Sequence, residues 1–177
     1  MLEMTMAFRK KTIGIIWFIM LSLCLLPACK SKELREKEAQ ASCSISLTEL
    51  ADKVKEEDAT LPSLSRADSS MEQGEDYFAY LSNLDYDKIE NYCFDYATDG
   101  TAEEIAIIQL RDKADSEACK SSLEEHVHSR KTMYDAYKPE QSATVDKAKI
   151  IIKDAYVVLL ISKDSDAGEK VIEEYIK

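Results

Sequence analysis

Ala148-Lys149-Ile150-Ile151-Ile152-Lys153-Asp154-Ala155-Tyr156-Val157-Val158-Leu159-Leu160-Ile161-Ser162 is the stretch that decides the fold. Lys147 to Ile152 and Ala155 to Ser162 are two runs of β-branched and apolar residues joined at Lys153-Asp154, which predicts a β-hairpin. Asp is one of the few side chains that tolerates the left-handed backbone a tight hairpin turn needs. The second run, AYVVLLI, is almost wholly apolar. Such a strand lies at the centre of a sheet or is covered on both faces.

Working backwards, a second hairpin precedes it. Tyr92, Phe94 and Tyr96 alternate with Cys93, Asp95 and Ala97, so this segment is a strand with an aromatic face. Thr98-Asp99-Gly100-Thr101 supplies the turn, and Glu104 to Leu110 (EIAIIQL) is the return strand. Between the hairpins, Asp112 to Tyr137 has helical periodicity, with Cys119, Leu123, His126/Val127, Arg130, Tyr134 and Tyr137 as its inward stripe and Pro139 as its stop. Ser46 and Glu49 have the spacing of a capping box ahead of a short amphipathic helix, Leu47 to Glu57. Asp58 to Gly74 reads as a loop, Asp76 to Leu84 as one or two helical turns. Asp164 to Asp166 caps a last helix that turns Val171, Ile172, Tyr175 and Ile176 inward. The expected class is α+β: a four-stranded, mainly antiparallel sheet of two hairpins, helices on one face, in the order α-β-β-α-β-β-α.

The N-terminal segment carries an address. Arg9, Lys10 and Lys11 precede an uncharged run from Thr12 to Leu26. At ~1.5 Å per residue that run spans about 22 Å as a helix, short of the ~30 Å hydrocarbon core, which favours a signal peptide over an uncleaved membrane helix. Leu26-Pro27-Ala28-Cys29 then reads as a lipobox, with cleavage between Ala28 and Cys29 and lipid on the Cys29 thiol. Pro27 is unusual there, and the alternative Cys24 lacks a small residue before it. The expected division is a signal peptide over 1–28, a lipidated cysteine and flexible tether over 29–46, and one α+β domain over 47–177. Two acyl chains, palmitate among them, hold a protein stably at ~0.8 kcal/mol per buried CH₂.

Charge and motifs exclude more than they assign. The net charge of −11 leaves no basic footprint for nucleic acid. Cys43, Cys93 and Cys119 are an odd set of thiols in an exposed compartment, and Cys93 and Cys119 sit in apolar stretches where buried free cysteine is the common fate. His126 and His128 lie ~200° apart around a helix and cannot grip one metal, while Glu124 and Glu125 could pair with His128. Asp164-Ser-Asp166-Ala-Gly168-Glu169 looks calcium-like, but its glycine and its twelfth residue are misplaced. Asp85, Asp87 and Glu90 fit a helix start. With glycines only at 14, 74, 100 and 168 there is no phosphate loop, and no nucleophile has a paired base, so neither a catalytic residue, a metal site nor a cofactor is expected. Tyr77, Tyr80, Tyr86, Tyr92 and Tyr96 could line a small pocket.

The strand EIAIIQL, the long helix, its Tyr137-Lys138-Pro139-Glu140-Gln141 end and the hairpin AKIIIKDAYVVLLIS follow one another in an order that resembles the Gram-positive lipoproteins known as domain of unknown function 4358. The resemblance covers roughly Leu47 to Ile176. It implies an extracytoplasmic lipoprotein domain and carries no activity or site residue with it. The expected protein is therefore anchored to the outer face of the cytoplasmic membrane of a Gram-positive-type bacterium through Cys29. It would serve as a non-enzymatic interaction or accessory module with an envelope protein partner. The alternatives are a small-ligand- or cation-binding lipoprotein for a transporter or sensor, and a cryptic hydrolase. Cys29→Ala is expected to release the chain from membranes or leave its precursor uncut, read by fractionation and intact mass. Unchanged attachment and processing would favour an uncleaved helix instead.

Overall fold

The computed structural model describes residues 41–177. Cys29, Ala28 and the rest of the lipobox lie outside them. Among the described residues no helix is long and apolar enough to cross a membrane. The elements run α1 (Leu47–Glu57), β1 (Leu64–Asp68), α2 (Gly74–Leu81), β2 (Ile89–Ala97), β3 (Glu104–Leu110), α3 (Ser116–Tyr137), α4 (Pro139–Val145), β4 (Lys149–Lys153), β5 (Tyr156–Ile161) and α5 (Ser165–Tyr175), with 3-10 turns at Tyr86–Lys88 and Lys113–Asp115.

The α+β class and both hairpins stand, but the sheet has five strands, in the order β1-β2-β3-β5-β4, every neighbouring pair antiparallel. The extra strand, β1, falls inside the stretch expected as a loop. Only Ala67 of Leu-Ser-Arg-Ala-Asp is buried, so this polar edge strand has no apolar alternation to betray it. The element order becomes α-β-α-β-β-α-α-β-β-α.

A second correction concerns the helices, which cover both faces of the sheet. On one face Tyr92, Phe94, Ala106, Ile108, Val157 and Leu159 meet Phe78 and Leu81 of α2, Cys119 and Leu123 of α3 and Val145 of α4. On the other Cys93, Ile105, Ile107, Val158 and Leu160 meet Leu50 and Val54 of α1 and Val171 and Ile172 of α5. The reason lies in β3 and β5, whose odd and even positions are both apolar, so each face must be shielded from water. Gly168 lets α5 approach closely: a Cβ there would stand 3.0 Å from Leu160 Cδ1 and 3.1 Å from Val54 Cγ1.

Local chemistry sets the ends of the elements. Ser46 and Glu49 form the expected capping box of α1. Asp154 turns the last hairpin with φ of 56°, followed by Ala155, so the turn sits one residue later than expected. Gly100, with φ of 83°, serves the turn after β2. Pro139 both follows the end of α3 and starts α4, where its missing N–H costs nothing. Tyr137 departs from the expected inward stripe, being 85% exposed.

Residues 41–46, expected as the end of the tether, lie against the domain. The Ser42 N–H donates to Lys177 O at 2.8 Å and the Lys177 N–H returns the bond to Ser42 O at 3.2 Å. Ala41 N–H donates to the Asp154 carboxylate at 2.7 Å, and Cys43 bridges to Ile176.

The second face, under α1, is locked by an ion cluster. Asp95 on β2 is fully buried, yet both its oxygens are met by Arg66 of edge strand β1, at 2.6 Å to Nε and 2.7 Å to Nη2. Lys55 of α1 adds a third contact at 2.9 Å, and Asp52 faces both cations. The bond from Asp95 holds the Arg66 guanidinium protonated well above its ordinary range. Removing the acid strands two cations at the sheet surface. Asp95→Ala is therefore expected to lower the unfolding free energy by about 3–5 kcal/mol in urea denaturation, with α1 and β1 losing hydrogen-exchange protection first.

Candidate functional site

The aromatic face of β2 does not end in core. Tyr92 and Phe94 are buried, but towards the end of the strand Phe94 and Tyr96 pack with centroids 5.1 Å apart and look into a groove between α2 and α3. Tyr77 and Tyr80 of α2 form one wall, and Ser129 and Met133 of α3 the other. Its volume is about 510 Å³, within the usual range of small-ligand pockets.

Two anchors hold the walls. At the C-terminal end of α2, Ser82 Oγ lies 2.8 Å from Ser122 Oγ of α3, and the Asn83 N–H donates to Ser122 Oγ at 2.8 Å. At the N-terminal end, the Tyr92 hydroxyl donates to Gly74 O at 2.6 Å, which seats α2 on the sheet. A Cβ at residue 74 would stand 3.0 Å from Asp68 O, so this seating uses the space a side chain would fill.

The floor of the groove is polar. Glu104 opens β3, pairs across the sheet with Tyr96 and is 3% exposed. Its Oε2 lies 2.7 Å from His126 Nε2 and its Oε1 2.9 Å from Arg130 Nε. The Arg130 Nε–H is not aimed along that second vector, so the contact is an ion pair without an aligned hydrogen bond. Arg130 is nonetheless held: its guanidinium carbon stands 4.9 Å above the Tyr134 ring, and its Nη2 reaches Tyr134 Oη at 3.2 Å and Ala102 O at 3.4 Å. Tyr134 donates in turn to Thr101 O at 2.5 Å. His126 stands edge-on to Phe94 with centroids 6.5 Å apart.

The aromatic set expected at a pocket divides. Tyr77, Tyr80 and Tyr96 line the groove, whereas Tyr86 and Tyr92 stack around Phe78 at 5.6 and 5.3 Å. The two histidines face different ways as expected, His126 inward and His128 to solvent. The acid that meets His126 is Glu104; Glu125 is bonded to Asn83 at 2.8 Å. Sequence reading missed Glu104. Its signal was available: an acid at the start of a strand whose same-face neighbours are aromatic, and two basic side chains, His126 and Arg130, four residues apart on an inward helix stripe. Partly buried basic side chains of that kind are usually met by an acid.

The remaining candidates are accounted for by ordinary structure. Among the described residues no cluster of His, Cys, Asp or Glu has the make-up of a metal site. In the calcium-like stretch, Asp166 and Glu169 both pair with Lys149, and Asp164 stands at the start of α5 without a side-chain cap. Asp85 accepts from the Asp87 N–H to start a 3-10 turn, and Glu90 pairs with Arg111.

Cys43, Cys93 and Cys119 are free thiols. Cys93 and Cys119 lie on opposite faces of the sheet. Burial, with Asp95 and Asp115 respectively adding to it, pushes both up to about 12. An unfolded thiol ionises near 9.0, so the stabilisation is complete below that pH and is lost as pH climbs towards 12. Denaturant midpoints are expected to fall between about pH 9 and 12. At pH 8, mass mapping should find Cys93 and Cys119 unmodified by a thiol reagent until the chain is unfolded.

The fold and site thus define an antiparallel α+β domain with helices on both faces and an aromatic groove over a buried Glu-His-Arg floor. The family model described as Domain of unknown function (DUF4358) matches residues 64–162, more than half of the chain, and the chain belongs to that family. The matched segment runs from β1 to the end of β5, so it contains the whole sheet and the groove while α1 and α5 flank it. No curated protein and no solved structure matches.

Proposed function

We propose that this protein is a lipid-anchored, extracytoplasmic, non-enzymatic binding module, and that the groove between α2 and α3 is its binding site. The anchor reading draws its support from the basic cluster, the short apolar run and Leu26-Pro27-Ala28-Cys29; its proposed location is the outer face of the cytoplasmic membrane of a Gram-positive-type bacterium. The binding role rests on one observation. Four aromatic side chains converge on a cavity of about 510 Å³ whose floor carries a held Glu104, His126 and Arg130.

Such a site fits capture better than turnover. Glu104 has both oxygens committed to cations or donors, and the buried thiols stay protonated at neutral pH. A small ligand presented to a transporter or sensor is favoured over an extended protein interface because the apolar surface is concave and confined. The second reading, an accessory module for an envelope protein, draws on exposed Tyr80 and Met133 at the groove mouth, where a partner's side chain could anchor.

A thermal-shift screen of small aromatic and amphipathic compounds on the full chain in detergent micelles tests the ligand reading. A binder at a hundred times its Kd stabilises by about 2.7 kcal/mol. Tyr80→Ala, at a residue 77% exposed and therefore safe for folding, is expected to remove the shift. A screen in which no compound moves the midpoint would sink this reading.

A further inference from the structure

We propose that the groove recognises a carboxylate carried on a compact aromatic or apolar body, with Arg130 as the residue that reads the charge; this rests on the groove being the binding site. The argument is an account of donors and acceptors. Glu104, the acidic group on the floor, faces His126 through Oε2 and Arg130 through Oε1, so its charge is already met. What the floor leaves unspent are donors. Among the described residues Arg130 Nη1 has no hydrogen bond and the Ser129 hydroxyl on the adjacent helix position has no side-chain partner, while the buried Nε stays turned to Glu104. A ligand that completes this set brings acceptor oxygens and no donor of its own, which describes a carboxylate. A cationic ligand would meet the Arg130 charge at the floor with no free acid to receive it.

Arg130 is also fixed before a ligand arrives. Stacking on Tyr134 at 4.9 Å and the bonds of Nη2 to Tyr134 and Ala102 hold the fork in place, so little side-chain freedom is lost on binding. The walls set the body of the ligand: Tyr77, Tyr80, Phe94 and Tyr96 offer ring faces and edges, and Met133 at the rim adapts to shape. The net charge of −11 repels anions at long range, but screening over ~8 Å at physiological salt leaves the choice to the local groups. The same chemistry comes from two sources, a free aromatic acid or the C-terminal carboxylate of a peptide ending in an aromatic residue.

The test uses the full chain in detergent micelles with 13C-labelled methionine methyls. Met133 reports from the groove, and Met71, exposed elsewhere, serves as the control. Titrants are 3-phenylpropionate, its primary amide, 3-phenylpropylamine and N-acetyl-glycyl-phenylalanine. The carboxylates are expected to move the Met133 signal at concentrations at least tenfold below the amide and the amine, with Met71 still. Arg130→Gln is expected to bring acid and amide to equal affinity. Tighter binding by the dipeptide assigns the source to a polypeptide end, and tighter binding by phenylpropionate to a free acid. If the amide or amine binds as well as the acid to the native chain, the carboxylate assignment falls while the groove remains a binding site. If no titrant moves Met133, both fall. The native chain decides these outcomes whether or not Arg130→Gln folds.

Discussion

The structure depends on the two-sided burial of β3 and β5. Val157, Leu159 and Ile161 face one helical layer, Val158 and Leu160 the other, and β3 repeats this with Ala106 and Ile108 against Ile105 and Ile107. At about 25 cal/mol per Å² of apolar area removed from water, neither face of these strands can be left wet. Two helical layers follow from that requirement. α1 and α5 close one side through Val54, Ile172 and the close approach at Gly168, and α2, α3 and α4 close the other. The same requirement places β1 and β4, with their half-exposed residues, at the edges.

The groove arises where this burial runs out. α2 is only eight residues long and α3 is twenty-two, and the groove between them is floored by buried Phe94 and leaves Tyr96 partly uncovered at the far end of β2. Serine-to-serine bonding at Ser82 and Ser122 and the Tyr92–Gly74 bond keep α2 where it is, so the opening is a property of the fold. Into its floor the sheet delivers an acid and the long helix two bases. Burial makes an isolated carboxylate costly, and the His126 contact with the Arg130 ion pair offsets that cost. A surface can dispense with such an arrangement; a site that must keep a charged guanidinium oriented beneath aromatic walls has a use for it.

The layer of α1 and α5 carries its own polar lock on different terms. Asp95 sits deeper than Glu104, with no exposure at all, and is tied to Arg66 and Lys55, side chains of an edge strand and a helix that both lie well before it in sequence. That cluster joins three elements and opens on no cavity among those lined by the aromatic side chains. The strap formed by residues 41–46 against Tyr175, Ile176 and Lys177 then ties the beginning of the described chain to its end. The domain thereby begins ahead of α1.

Much of this was legible in the residues. The hairpins, the bounds of β3, the capping box at Ser46, the left-handed turn at Asp154 and the inward face of α3 through Leu123 and Arg130 all follow from local rules of period, capping and turn chemistry. Three things were decided only by the tertiary structure. β1 is a strand because β2 offers it an edge, and five residues of which three are polar cannot announce that by themselves. The second helical layer was implied by the unbroken apolar strands, yet which helices form it depends on how the chain crosses the sheet. The meeting of Glu104 with His126 and Arg130 needs residues twenty-two and more positions apart brought to one point. Local sequence governs backbone conformation within a few residues, whereas a site is made of long-range contacts, and only packing sets those.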